Sequence, residues 1–406
     1  MMQLNPDVPT HVCPNCCNNR AVVFYQVDQL PIHTVQLLRS RQEALDAPLG
    51  NITLGFCHTC GFITNLSFDP DTLQYNNNYD NTRRHSHTFS GFEKELAVYL
   101  VNRYALHGKT ILEIGCGQGE FITTLCEIGN NVGVGFDPAF VRQRSSVGLT
   151  SQAGITFIQD VYSEKYANYR GDFVVCKMTL EHLPETAVFL NMMRRAIEPK
   201  ANLELETILF FQVPNTRHLL NEVAFWDIHY EHCSYFTPAS LGYLFRQHNL
   251  EILDLYTGFD DQYIMIEARP ANGRLSTPHP NEEPLEELAD DVVHFTKIYP
   301  QKLSYWRNAI SEWRARGQKV VLWGAGSKSV SFLTTLGITT THLKYVVDVN
   351  PRKIGTHIAG TGQKIISPQF LEIYRPDIVI VMNPIYQDEV RHTLYELDLT
   401  PQIIGV

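Results

Sequence analysis

From residue 110 onward the chain alternates short apolar runs with stretches whose apolar residues recur at helical spacing. Residues 110–114, 131–136, 155–158 and 173–178 read as strands, and 121–128 as a helix between the first two. Residues 203–213 read as another strand, and 252–267 as a hairpin around Gly258. Strands alternating with helices predict a parallel sheet covered on both faces. Ahead of this region, Leu96, Tyr99, Leu100 and Tyr104 set a helix from about Phe92, preceded by a polar, Asn-rich loop over 76–81. Further back, 56–66 reads as strand with Cys57 and Cys60 at its turn, inside a small cysteine-bearing module.

A second such pattern follows a break. Residues 271–285 are rich in Pro, Asn and Gly and read as a linker. A helical stretch over 288–316 leads into a strand at 319–323, a tight turn at 324–327, a helix at 329–336 and strands at 343–348 and 377–382. The chain therefore divides into a cysteine module (1–70), an α/β domain (71–270), the linker, and a helical segment with a second, smaller α/β domain (286–406).

Composition narrows the function. The 406 residues are 44% hydrophobic, enough for packed cores. The net charge of −10 and the thin basic cluster Arg194, Arg195 and Lys200 argue against nucleic-acid binding. The apolar runs have strand length, far below a membrane span, and the first residues lack an apolar leader core, so a cytoplasmic protein is expected. Of nine cysteines, four stand as Cys13-x-x-Cys16 and Cys57-x-x-Cys60, and the rest are scattered. Two such pairs can close a tetrahedral thiolate cage around Zn²⁺, with Cys17 an alternative to Cys16. A four-thiolate site has no open position, so its zinc is expected to be structural.

The strand at 110–114 runs into Glu113-Ile-Gly115-Cys-Gly117-Gln-Gly119 and then a helix, the context in which a glycine loop has meaning. An acid, Asp137, ends the next strand, where it can accept hydrogen bonds from ribose hydroxyls. The spacing does not fit the G-x-G-x-x-G fingerprint of an NAD-binding domain. Instead, 113–119 resembles the first motif of class I S-adenosylmethionine methyltransferases. In that resemblance Asp137 corresponds to the ribose acid, Asp160 to the acid that reads the adenine amino group, and 179–184, with His182, to the motif after the fourth strand. It implies a donor site built from Glu113, Gly115, Gly117, Gly119, Asp137, Asp160 and His182.

Residues 226–236 crowd titratable and aromatic groups: Trp226, Asp227, His229, Tyr230, Glu231, His232, Tyr235 and Phe236. Such a stretch suits proton removal beside a held oxyanion. With Val213-Pro214-Asn215 it resembles the deoxysugar C-methyltransferases, in which a zinc-binding domain, a methyltransferase domain and a Rossmann-like domain follow one another. The family reads Tyr-His-Glu-His here. This chain keeps Glu231 and His232 and exchanges the first two, His229 standing at the Tyr position and Tyr230 at the His position. The resemblance implies His232 as the base, Glu231 beside it as an orienting group, and Tyr79 as an active-site tyrosine, with Tyr75 competing for that place.

Gly324-Ala-Gly326-Ser327-Lys328 again joins strand to helix, a setting that favours phosphate. With Asp348, Asn350, Asn383 and Glu389 it resembles the family's C-terminal domain, and Gly324, Gly326, Ser327, Lys328 and Asn383 are the implied contacts to the acceptor's nucleotide. The implied reaction is methyl transfer to a carbon alpha to a ketone of a nucleotide-linked deoxysugar. Methylation of oxygen or nitrogen on another small molecule remains the alternative, because the exchanged His229–Tyr230 pair alters the base region.

Overall fold

The computed structural model describes residues 9–73, 78–144, 154–197, 207–271, 273 and 277–406. The expectations for Tyr75, Lys200, the start of the 203–213 strand, and parts of the Asn-rich loop and the linker lie outside the described residues.

The N-terminal module is an antiparallel meander of β1 (Thr10–Val12), β2 (Asn19–Pro31), β3 (Leu49–Cys57) and β4 (Ile63–Asn65). Both cysteine pairs occupy its hairpin turns. Ala21 pairs with Cys57 across β2 and β3, so the turn entering β2 lies beside the turn leaving β3. The sheet register, not sequence proximity, brings the pairs together.

The central domain contributes β5 (Thr110–Ile114), β6 (Val132–Phe136), β7 (Ile155–Ile158), β8 (Phe173–Lys177), β9 (Ile208–Pro214), the short β10 (Ser234–Tyr235), β11 (Leu250–Gly258) and β12 (Tyr263–Pro270). The sheet order is β11-β12-β9-β8-β5-β6-β7, with β12 antiparallel to both of its neighbours and the other pairs parallel. This is the parallel sheet that the alternation predicts, with the expected hairpin at its edge, in the class I methyltransferase arrangement that the resemblance implies. Period-two alternation sorts the strand residues between faces. Leu112, Val174, Cys176 and Phe211 pack on one side, and Ile111, Phe173, Val175 and Phe210 on the other with the helices His87–Arg103 and Glu120–Gly129.

The C-terminal domain is a parallel sheet of β13 (Val320–Trp323), β14 (Tyr345–Val347), β15 (Lys364–Ile366), β16 (Ile378–Val381) and β17 (Gln402–Gly405), ordered β15-β14-β13-β16-β17. The helix expected from residue 288 begins at Leu285 and runs to Ala315. It belongs to two cores. Leu288, Val292 and Phe295 pack into the N-terminal module, and Trp306 and Ile310 into the C-terminal domain. No helix among the described residues is long and apolar enough to cross a membrane.

The N-terminal sheet also takes in β10 from the central domain, through Ser234↔Thr64 and Tyr235↔Ile63. Just before β10, Tyr230 is buried among the module's apolar residues. Its hydroxyl accepts from Asp69 N at 3.0 Å, and its ring lies 5.6 Å from that of Phe68. A Cβ on Gly50 would come within 2.4 Å of the ring. The sequence places Tyr230 among the catalytic candidates. The fold instead turns its side chain into the module, at a turn closed by the bond from His232 N to the His229 carbonyl at 3.1 Å. Tyr230→Phe is expected to lose about 0.5–1.5 kcal/mol, the net worth of one hydrogen bond, and to keep turnover. Denaturant titration beside an activity assay checks this. Intact stability with lost turnover would return the hydroxyl to the chemistry.

Candidate functional site

One cavity lies over the β5–helix turn. Gly115 and Gly119 have φ of +71° and +86°. A Cβ would meet Thr179 Oγ1 at 1.9 Å from Gly115 and the Phe157 ring at 2.5 Å from Gly119, so only glycine makes this turn. At Gly117 an added Cβ would meet nothing closer than Glu120 at 4.0 Å, which leaves open space over the loop. Glu113 accepts from Ile122 N at 2.9 Å and ties the following helix to β5. Burial pushes its carboxyl up to about 8. Asp137 accepts from Gly117 N at 2.9 Å and Ala139 N at 2.7 Å. Burial raises it to about 6 against the pull of those bonds. A carboxylate has about four acceptor sites, so two backbone bonds leave room for two hydroxyls. Asp160 lies at the rim and bonds Tyr166 at 2.6 Å and Lys165, whose hydrogen bond holds it down to about 2.

A second cavity opens between the central and C-terminal domains. It shares Tyr79, Asn81, Thr82, Arg83, Met178 and His182 with the first. Three histidines meet in its wall. The His232 ring lies 4.9 Å from that of His182 and 4.3 Å from that of His229. Burial lowers all three, His229 to about 4 and His232 well below the usual histidine value, with the neighbouring histidines, Arg83 and Lys328 adding to the effect on His232. Each is therefore neutral at cellular pH. Nδ1 of His182 donates to the Glu231 carbonyl at 2.9 Å, which leaves Nε2 as an acceptor.

Glu231 is placed differently from its expected role as orienter of the His232 ring. Its carboxylate turns to the N-terminal module, where it accepts from Thr34 N at 3.2 Å and from the Thr34 hydroxyl, with His33 Nδ1 at 3.7 Å. Burial works against its charge, and these contacts outweigh it, holding the group below the usual carboxylate value. Glu181, inside the 179–184 motif, is buried in the cavity wall. Neither of its oxygens has a hydrogen-bond partner among the described residues, and burial raises it to about 8.

Gly324, Gly326, Ser327, Lys328 and Asn383 line the same cavity. The Lys328 charge is already matched, its ammonium lying 2.6 Å from Asp227 Oδ2. Ser327 Oγ meets Thr34 Oγ1 at 2.7 Å, and Asn383 makes a reciprocal amide pair with Gln262 at 2.7 and 3.1 Å. Glu389 crosses from the C-terminal domain to cap the helix His87–Arg103, accepting from Thr88 N at 3.0 Å and Ser86 Oγ at 2.8 Å. Tyr79 lines both cavities, and its carbonyl accepts from Arg144.

In the N-terminal module Cys13, Cys16, Cys57 and Cys60 bring their sulfurs together. Cys13 and Cys60 lie 3.7 Å apart, and Cys16 and Cys57 3.6 Å. A tetrahedron with metal–sulfur bonds of about 2.3 Å has edges of about 3.8 Å, so the four fit a four-coordinate cation. Thr59 N, Asn15 Nδ2 and Asn18 Nδ2 point at these sulfurs at 3.4–3.6 Å. Cys17, the alternative ligand, is exposed and outside the cluster.

The structure thus places the expected donor residues, Gly119 excepted, along one cavity, and His229, His232 and the C-terminal turn along the other. Sequence reasoning missed Thr34, Arg83, Gln262 and Tyr263. They come from distant segments, and single polar residues in loops carry no periodic or motif signal.

Residues 85–255 match a methyltransferase domain, and residues 291–399 a C-methyltransferase C-terminal domain. The chain is 24% identical over 312 residues to the C-methyltransferase NovU of Streptomyces niveus, covering 73% of this chain and 72% of that protein. It is 29% identical over 129 residues to the ubiquinone biosynthesis O-methyltransferase of Proteus mirabilis, covering 29% of this chain and 52% of that enzyme. Among solved structures, a Burkholderia thailandensis 1,6-didemethyltoxoflavin-N1-methyltransferase is 13% identical, covers 44% of this chain and 79% of its own, and has a TM-score of 0.35. A methyltransferase domain carrying an intact glycine loop, followed by a C-methyltransferase C-terminal domain, makes this chain an S-adenosylmethionine-dependent methyltransferase with the domain order of a C-methyltransferase.

Proposed function

We propose that the chain methylates a carbon alpha to a ketone on a nucleotide-linked deoxysugar. The observation that carries this reading is His232: a half-buried, neutral imidazole in the wall of the second cavity, beside the residues that cavity shares with the donor cavity. Transfer to oxygen or nitrogen needs less help from a base. A neutral imidazole shielded from water suits removal of a weakly acidic C–H proton.

Bound over the glycine loop, S-adenosylmethionine supplies an electrophilic methyl group on a sulfonium. Asp137 holds ribose hydroxyls, Glu113 fixes the turn, and the Asp160 and His182 ends of the cavity bound the rest of the donor. Gly324, Gly326, Ser327 and Asn383 form the wall against which the acceptor's nucleotide lies. Lys328 pins Asp227, and so the 227–236 segment, to that wall. His232 takes the α-proton, His229 and Tyr79 shape the pocket around it, and Glu231 docks the segment on the N-terminal module. The cysteine cluster holds a structural Zn²⁺ that fixes the meander on which Glu231 rests.

Metal analysis of purified protein is expected to give about one zinc per chain, as for one closed four-thiolate site. The Cys57→Ser, Cys60→Ser double variant should lose it together with thermal stability. Full zinc content and unchanged melting would end this assignment.

Asp137→Ala should weaken S-adenosylhomocysteine binding by on the order of 1.5–3 kcal/mol, the worth of charge-assisted hydrogen bonds. In the wild type the carboxylate is protonated as pH falls through about 6, so titration calorimetry should show donor affinity declining below that pH and level above it. Equal affinity in variant and wild type would remove Asp137 from the site.

His232→Ala should cost roughly 10²–10⁴ in turnover, the usual contribution of a general base, and leave donor affinity alone. Because its pKa is depressed, the acid limb of the wild-type kcat profile should lie well below pH 6.5. Full turnover in His232→Ala would shift the base to His229 or Tyr79.

A further inference from the structure

Forming an enolate places negative charge on the former ketone oxygen, and a water-poor cavity must answer that charge with its own donors. Two of the neighbouring side chains have their protons committed elsewhere. His182 has its Nδ1 proton on the Glu231 carbonyl, so its neutral ring presents an acceptor. The Tyr235 hydroxyl donates to the His229 carbonyl at 3.1 Å.

Among the described residues, the permanent cations lining this cavity are Arg83, Lys328 and Lys353. Lys328 is closed on Asp227. Lys353 donates to the Ala325 carbonyl at 2.9 Å and lies 3.4 Å from Asp348. Arg83 differs. Its guanidinium donates to the Tyr263 hydroxyl and sits 5.2 Å from the Phe89 ring centre and 5.9 Å from that of Tyr263, with no carboxylate in ion-pair range among the described residues. Two aromatic rings fix the guanidinium plane and leave most of its five N–H donors unused.

Its position is equally specific. Arg83 lines both cavities, whereas the adjacent Arg84 lines the donor cavity alone. The donor's own carboxylate thus has a separate cation within reach. The charge of Arg83 also bears on Glu181 and His232, since it lowers the pKa of each. A group that cannot lose its proton serves as neither acid nor base, and acts through charge and hydrogen bonding only.

We infer that Arg83 is a catalytic residue, the hydrogen-bonding cation that receives the enolate oxygen of the acceptor during methyl transfer. This rests on the enolate reading above. His232 takes the α-proton, and the C–H electron pair moves into a C=C bond as the carbonyl pair moves onto oxygen, beside Arg83. The carbon then takes the methyl group, the S–CH₃ bond breaks with its pair remaining on sulfur, the C=O re-forms, and His232 releases its proton to water.

The test is solvent exchange followed by turnover. Wild type, Arg83→Lys and Arg83→Met are incubated in D₂O with S-adenosylhomocysteine and a panel of nucleoside-diphosphate 4-keto-6-deoxyhexoses, and deuterium at the α-carbon is followed by NMR. Wild type should exchange one carbon position. Arg83→Met should lose roughly 10²–10³ in exchange and in kcat, the usual cost of one oxyanion donor, while S-adenosylhomocysteine affinity stays within about twofold of wild type by the same argument that the loss is confined to the oxyanion. Arg83→Lys, which keeps the charge and loses the planar fork, should fall between them, and serves as the folded control if the methionine variant melts early. Wild-type-like exchange in Arg83→Met overturns the assignment. So does a matching loss of S-adenosylhomocysteine affinity, which would place Arg83 on the donor's carboxylate, or a raised KM with kcat intact, which would place it on the acceptor's phosphates. Absence of exchange in the wild type overturns the enolate reading itself.

Discussion

Residues 227–236 are held from three directions at once, and the geometry of the second cavity depends on that hold. Asp227 pairs with Lys328 and the Ile228 carbonyl accepts from Ser331 Oγ at 2.8 Å, both in the C-terminal domain. Tyr230 and Glu231 anchor in the N-terminal module. Cys233 N donates to the Glu181 carbonyl at 3.0 Å in the central domain, and Ser234 and Tyr235 then join the N-terminal sheet. Ten residues thus fasten three folded units together, and the histidines face the cavity left among them. A half-exposed ion pair such as Asp227–Lys328 contributes little net stability, which suits a contact whose value lies in register.

That hold also accounts for the electrostatics. With the His232 ring set between those of His182 and His229 and the group largely desolvated, protonating one would place a charge beside polar groups already committed elsewhere. All three are therefore driven neutral, a state in which an imidazole can accept a proton. The N-terminal module enters the chemistry through Thr34 and the meander beneath it. The cysteine cluster would then act on the active site at a distance, by fixing the surface on which Glu231 docks.

Much of this was legible in the chain. The strands at 110–114 and 155–158 match the structure residue for residue, because each is a short apolar run bounded by turn residues. The glycine loop and Asp137 were legible because the turn tolerates only glycine at two positions. The long strand Asn19–Pro31 carried no such signal. It alternates irregularly and is interrupted by bulges in its pairing with β3. The orientation of Tyr230 and the true partner of Glu231 were hidden for another reason. Both are set by residues 160 or more positions away, at Asp69 and Thr34, and a local motif does not encode which neighbour a side chain will meet.

The central claim is that the new bond forms at carbon. It is tested most directly by supplying S-adenosylmethionine labelled with carbon-13 in the methyl group, together with a uniformly carbon-13-labelled nucleoside-diphosphate 4-keto-6-deoxyhexose, and reading the product by NMR. The account predicts a methyl carbon with a one-bond carbon–carbon coupling to the position next to the ketone. A methyl carbon without that coupling, at the chemical shift of an O-methyl or N-methyl group, would contradict it.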